Sequence, residues 1–136
     1  MNREIKFRGF SKELNRWLYG HFMIGLNDEY YIIHKVKIDD TTTKLEYSIV
    51  VKESVGQFTG LADKNGKEIY EGDVVFIMNY NFIGIIYLRE DRWHCKNTKE
   101  QDFDNGDYYY GDDMMWGYAE IIGNYFENPE LLTENK

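Results

Sequence analysis

Residues 57–76 read Gln57-Phe58-Thr59-Gly60-Leu61-Ala62-Asp63-Lys64-Asn65-Gly66-Lys67-Glu68-Ile69-Tyr70-Glu71-Gly72-Asp73-Val74-Val75-Phe76. Physically this is a turn, a strand and a second turn. Asp63-Lys64-Asn65-Gly66 supplies the residue types that tolerate positive φ, so it should reverse the chain. Gly72-Asp73 then leads into an apolar strand, Val74–Met78. The rest of the chain continues this short, period-two pattern. Ile5 and Phe7 alternate with Glu4, Lys6 and Arg8. Tyr30–Ile38 is aromatic and β-branched, interrupted by His34, Lys35 and Lys37. In Leu45–Val51, one face takes Leu45, Tyr47, Ile49 and Val51, and the other takes Glu46, Ser48 and Val50. Polar Asp39–Thr43 connects these two segments as a hairpin. Phe82–Arg89, Arg92–Lys96 and Tyr118–Ile122 are further strand candidates, and Asn79-Tyr80-Asn81 is a tight connection before Phe82. Helical signals are few. Asn128-Pro129-Glu130-Leu131-Leu132 predicts one short helical turn, with Asn128 as N-cap and Pro129 at the first helical position. The whole reads as an antiparallel all-β protein of many short strands.

Composition sets the bounds. The 136 residues are 43% hydrophobic and 17% aromatic, which points to a folded core. A chain of this length can bury roughly two thirds of its unfolded surface without a disulfide or a metal. We read 1–136 as a single domain with sub-lobes 1–55 and 56–132 and a tail at 133–136. The formal charge is −8, from 24 acids and 16 bases. That balance disfavours non-specific binding to nucleic acid or an anionic membrane. Cys95 is the single cysteine, so nothing points to an oxidising compartment. Val74–Met78 and Ile83–Leu88 are the longest apolar runs, far short of the roughly 20 residues of a membrane helix. The first residues, Met1–Arg8, carry an early acid and no apolar core of a signal peptide. A cytoplasmic protein that does not engage a membrane is expected.

Three blocks resemble the YopX-like proteins of phages and prophages. They are residues 57–76, the opening Arg3-Glu4-Ile5-Lys6-Phe7-Arg8, and the closing stretch from Glu120-Ile121-Ile122-Gly123-Asn124 through Asn128-Pro129-Glu130-Leu131-Leu132. They stand in the family's order, at both ends and the middle. The resemblance implies an all-β fold with an SH3-like barrel in the C-terminal half and a smaller β lobe before it. The Tyr70-x-Gly72-Asp73-Val74 start of a strand is also common in small SH3-like barrels. The resemblance implies a phage or prophage origin and a bacterial host cytoplasm, and it brings no activity to transfer. This chain has Gly9-Phe10 where the family often places Trp, which keeps an aromatic but not an indole.

Searched for chemistry, the sequence gives little. His21, His34, His94 and Cys95 lack metal-ligand spacing, and His94 and Cys95 would point to opposite faces of a strand. Asp102-Phe103-Asp104-Asn105-Gly106-Asp107 looks like a calcium loop, but its glycine comes one place too early. Paired acids such as Asp39/Asp40 and Asp112/Asp113 are expected among 24 carboxylates. No nucleophile elbow, phosphate-binding loop or dinucleotide fingerprint occurs. We therefore expect no catalytic, metal or cofactor-binding residue, no cofactor, and no enzyme.

Two clusters are candidates for binding. Tyr108, Tyr109, Tyr110, Met115 and Trp116 are residue types favoured at interfaces, set among Asp104, Asp107, Asp112 and Asp113. They would suit a host or phage protein with a basic surface; core packing of half these rings is the competing and more ordinary account. Arg3, Lys6, Arg8, Lys12 and Arg16, interleaved with Phe7, Phe10 and Trp17, would form a stacking groove for a nucleic-acid strand; pairing with the excess acids is the competing account. The sequence thus expects a phage-encoded accessory protein that binds a protein partner, with a nucleic-acid-binding barrel as the alternative. Exposed strand edges leave both a monomer and a homo-oligomer open.

Overall fold

The computed structural model describes residues 4–90, 92–99, 107–109 and 118–132. Their regular structure is all-β, with no α-helix among the described residues. The chain divides into two compact units, Met1–Phe58 and Thr59–Lys136.

The first unit is built on β1 (Phe7–Ser11), β2 (Arg16–Ile24), β3 (Tyr30–Lys37), β4 (Thr43–Val50) and the start of β5 (Gly56–Ala62). The order is β4-β3-β2-β1-β5, antiparallel throughout. The β1–β2 hairpin closes on Asn15 at φ 53°, and Ser11 Oγ accepts the N–H of Leu14 at 3.0 Å. The expected β3–β4 hairpin is present: Asp39 Oδ1 accepts the N–H groups of Thr41 (2.9 Å) and Thr42 (2.8 Å). The sheet curls until the N–H of Val51 reaches the carbonyl of Phe10 at 2.9 Å. Gly9 permits this, because a Cβ there would lie 2.8 Å from Val50 Cγ2. The curl encloses Leu18, Ile32 and Val50, with Phe7, Phe22, Tyr30 and Val55 around them.

The second unit continues β5 and adds β6 (Glu68–Tyr70), β7 (Asp73–Ile77), β8 (Phe82–Arg89), β9 (Arg92–Asn97), β10 (Asp107–Tyr109) and β11 (Ala119–Asn124). Its larger sheet has the order β10-β9-β8-β7-β11. The turn read at Asp63–Gly66 is there: Gly66 takes φ 81° and donates to the Asp63 carbonyl at 3.0 Å. Gly72 takes φ 92°, and the adjacent Asp73 accepts the N–H of Tyr70 at 2.7 Å through Oδ2, so this side chain closes the turn before β7. The core is Ile69, Val75, Ile77, Phe82, Ile86, Trp93, Cys95 and Ala119. Gly84 of β8 admits Cys95, whose Sγ would collide with a Cβ there. The all-β expectation holds. Among the described residues the strand pairings are open at both ends of this sheet, and no pairing closes it into a barrel.

The helical turn expected near the end is a 3-10 turn, Pro129–Leu132. Asn128 stands at the expected N-cap position, its carbonyl accepting the N–H of Leu131 at 3.0 Å, but its side chain is used elsewhere. Its Oδ1 accepts the N–H of Asn124 at 3.2 Å, turning the side chain back toward β11. No helix among the described residues is long and apolar enough to cross a membrane.

Candidate functional site

Alternation along β2, β3 and β4 sends two rows of side chains to opposite faces of the first sheet. Leu18, Phe22, Ile32 and Val50 fill the enclosed face. On the other face the register aligns Met23 with Tyr31 and Ile49, and His21 with Ile33 and Tyr47. Tyr19 extends this row along β2. The rings of Tyr31 and Tyr47 meet edge-on, 5.7 Å between centroids at 75°, a favourable aromatic geometry.

The polarity of β4 is inverted relative to its sequence. Its more apolar row, Leu45, Tyr47 and Ile49, lies outward with exposures of 66%, 69% and 42%. Its more polar row, Glu46, Ser48 and Val50, lies inward. The reason is visible across the pair. Buried His34 of β3 meets Ser48 Oγ through Nε2 at 2.9 Å, which satisfies both polar groups inside the unit. Val50 is held against Gly9. With the inner row fixed by these two contacts, the larger side chains can only face out.

The β2–β3 connection shapes the rim of this surface. Gly25 donates to the Glu29 carbonyl at 2.7 Å, with Asn27 at φ 64° and Asp28 at φ 59° between them. A Cβ on Gly25 would lie 2.7 Å from Tyr31 Cε1, so glycine makes room for that ring. The Tyr31 hydroxyl donates to Glu29 Oε1 at 3.2 Å. Loss of hydration, then the Glu29 carboxylate, raises the Tyr31 phenol above its ordinary value. Gly20 lets β2 approach β3, because a Cβ there would collide with the Ile33 carbonyl oxygen.

The candidates read from the sequence fare differently. Tyr110, Met115 and Trp116 lie outside the described residues. Tyr108 and Tyr109 lie on β10, opposite Cys95 and His94. Arg3 also lies outside the described residues. Lys6, just before β1, and Arg8, on β1, each lie over a ring: Lys6 Nζ is 4.9 Å from the Phe58 centroid and Arg8 Cζ is 4.8 Å from that of Trp17. Lys6 also pairs with Glu4 at 3.3 Å, and Arg8 is buried. Lys12 and Arg16 are exposed at the end of the β1–β2 hairpin. Among the described cations, Lys6 and Arg8 are therefore in packed positions and Lys12 and Arg16 at a hairpin tip. His94 and Cys95 do point apart: His94 packs on Tyr87 at 5.6 Å and Cys95 is in the core. Among the described residues no cluster of three His, Cys, Asp or Glu could hold a metal.

Charge divides unevenly between the units. Residues 1–58 carry 9 bases and 8 acids, net +1, while residues 59–136 carry 7 bases and 16 acids, net −9. The tyrosine-rich face belongs to the near-neutral unit, with Lys35 on its surface.

Comparison with known proteins agrees with this fold. No curated protein matches the chain. Among solved structures, it is similar to the crystal structure of protein EF1440 from Enterococcus faecalis, with 22% identity and a TM-score of 0.50. The match covers 96% of this chain and 99% of that one, and at this identity it speaks to the fold alone. The model of the YopX protein family matches residues 6–133, nearly the whole length, and the chain belongs to that family.

Proposed function

We propose that this chain is a phage- or prophage-encoded accessory protein that works in the cytoplasm of a bacterial host as a non-catalytic protein-binding module. The observation that carries the reading is the outward apolar row of β4, joined by Tyr19, Met23 and Tyr31 into one face. A sheet normally turns its more apolar row inward, and an exposed apolar patch marks an interaction site. Tyrosine buries large area at low entropy cost, and tyrosine and methionine are both enriched at interfaces, which suits such a surface. The partner it fits presents an apolar patch rimmed by carboxylates that meet Lys35. The aromatic segment read at 108–116 remains a second contact of the same module.

The test is capture from a host lysate, with and without nuclease, by the wild-type chain and by a Tyr19→Ser/Tyr47→Ser variant. A defined protein held in both nuclease arms and lost by the variant supports the reading, provided the variant keeps the wild-type melting temperature. Equal retention by the variant overturns this face. Retention that vanishes with nuclease moves the reading to the alternative, a nucleic-acid-binding SH3-like barrel. That alternative draws less support, because Lys6 and Arg8 are held over Phe58 and Trp17.

A further inference from the structure

We propose that a second copy of this chain pairs antiparallel with β4, joining two first-unit sheets across a twofold axis. Four strands end the described strand orders, and three of them are blunted. β6 has three residues, β10 is three residues long as described, and β11 is bulged between Ile121 and Gly123. Short edges and bulges are the usual protections against edge pairing. β4 has neither. It runs eight residues, its ladder with β3 is continuous from Lys37–Thr43 to Tyr30–Val50, and it contains no proline. Its single lysine, Lys44, is tied to Glu46 of the same strand at 3.4 Å.

The strand is complementary to itself in one register. The far end of β4 is turned toward β1 by the bond from Val51 to Phe10, which leaves Thr43–Tyr47 as the accessible half. An antiparallel twofold pairing centred on Leu45 sets Leu45 against Leu45 of the second copy. Lys44 then meets Glu46 of the second copy, and Glu46 meets its Lys44, so the internal ion pair becomes two crossed ones. Thr43 meets Tyr47. A centre one residue on sets Glu46 against Glu46, which like charges disfavour. A centre on Tyr47 sets Lys44 against Val50, at the end already bound to β1. Only the Leu45-centred register combines opposite charges with a free backbone. It carries the outward row of β4 across the axis without covering it, so the pairing is independent of what binds that face.

Sedimentation of the full chain with charge-reversal variants tests this. Lys44→Glu places two acids opposite two acids, and Glu46→Lys places two bases opposite two bases. Both side chains are well exposed, at 54% and 41%. The wild type is expected to dimerise, and each variant alone to bind itself at least about tenfold more weakly. An equimolar mixture of the two is expected to form a heterodimer, since every crossed pair is again opposite in charge. Leu45→Lys, which sets two cations on the axis, is expected to be monomeric. A monomeric wild type overturns the proposal, as does a dimer that neither variant weakens. Two weakened variants that fail to restore each other on mixing also overturn it.

Discussion

Asp63 Oδ2 accepts the backbone N–H of Ile121 at 3.1 Å, a bond between residues 58 positions apart. Oδ1 of the same carboxylate accepts the N–H groups of Asn65 and Lys67, each at 2.9 Å. One buried side chain thus closes the Asp63–Gly66 turn and pins β11 beside it. The Lys64 N–H to the Ala119 carbonyl, at 2.8 Å, makes a second tie in the same place.

The first prediction follows from that carboxylate. Asp63→Ala removes three acceptor contacts and leaves the N–H groups of Asn65, Lys67 and Ile121 without this partner. It is expected to lower stability by about 3 kcal/mol, given the worth of hydrogen bonds to a charged group. Asp63→Asn keeps one acceptor oxygen and should fall between alanine and wild type. The urea midpoint checks this, and an alanine variant as stable as wild type refutes the tie.

A second prediction concerns Gly123. Its missing side chain leaves space for Asn128: a Cβ there would lie 2.5 Å from Asn128 Oδ1 and 2.9 Å from Leu131 Cδ1. Gly123→Ala should push Asn128 away and break its bond to the Asn124 N–H. A cost of about 1–3 kcal/mol is expected for such overpacking. Faster hydrogen exchange at Asn124 is the local readout, and unchanged exchange would show that the turn yields without loss.

How much of this was legible in the sequence depends on what each feature needs. Strands β3, β4, β7 and β8 were readable because alternation is a local property of the chain. So was the 63–66 turn, since Asx and Gly types are selected locally. Strand β2 was missed: Gly20 and His21 interrupt its pattern, and Gly20 is there only because the Ile33 carbonyl approaches it. The tyrosine-rich face is not legible for a related reason. Leu45, Tyr47 and Ile49 share one side of a strand, and alternation alone would turn that side inward. What turns it outward is the placing of Ser48 against His34 and of Val50 against Gly9, and both depend on partners distant in sequence.

Asp39 gives a pH prediction. Hydrogen bonds from Thr41, backbone first and then hydroxyl, together with Thr42, hold its carboxyl below the ordinary carboxylate value. A lowered folded-state value means the stabilisation is present above the unfolded value, about pH 4, and is lost as pH falls through the folded one. The side chain is fully exposed, so the effect is a local one on the β3–β4 hairpin. The melting-temperature gap between wild type and Asp39→Ala should be constant near neutral pH and shrink below about pH 4. A gap that stays constant through that range would remove the carboxylate from the account.

The last prediction tests the packing of Gly84 against Cys95. A Cβ on Gly84 would collide with Cys95 Sγ, and would lie 3.1 Å from Lys96 O and from Phe82 Cε2. Gly84→Ala therefore overpacks the core of the second unit and is expected to cost about 1–3 kcal/mol. Cys95→Ala leaves a small cavity and costs about 1 kcal/mol on its own. The two changes are not independent. With Cys95 already shortened, the new methyl enters the space the sulfur leaves, so the double variant should be more stable than the sum of the two losses requires. A double-mutant cycle in urea measures that coupling. Additive losses would mean that the strain at Gly84 comes from Lys96 and Phe82 instead, and that Cys95 is not what demands glycine there.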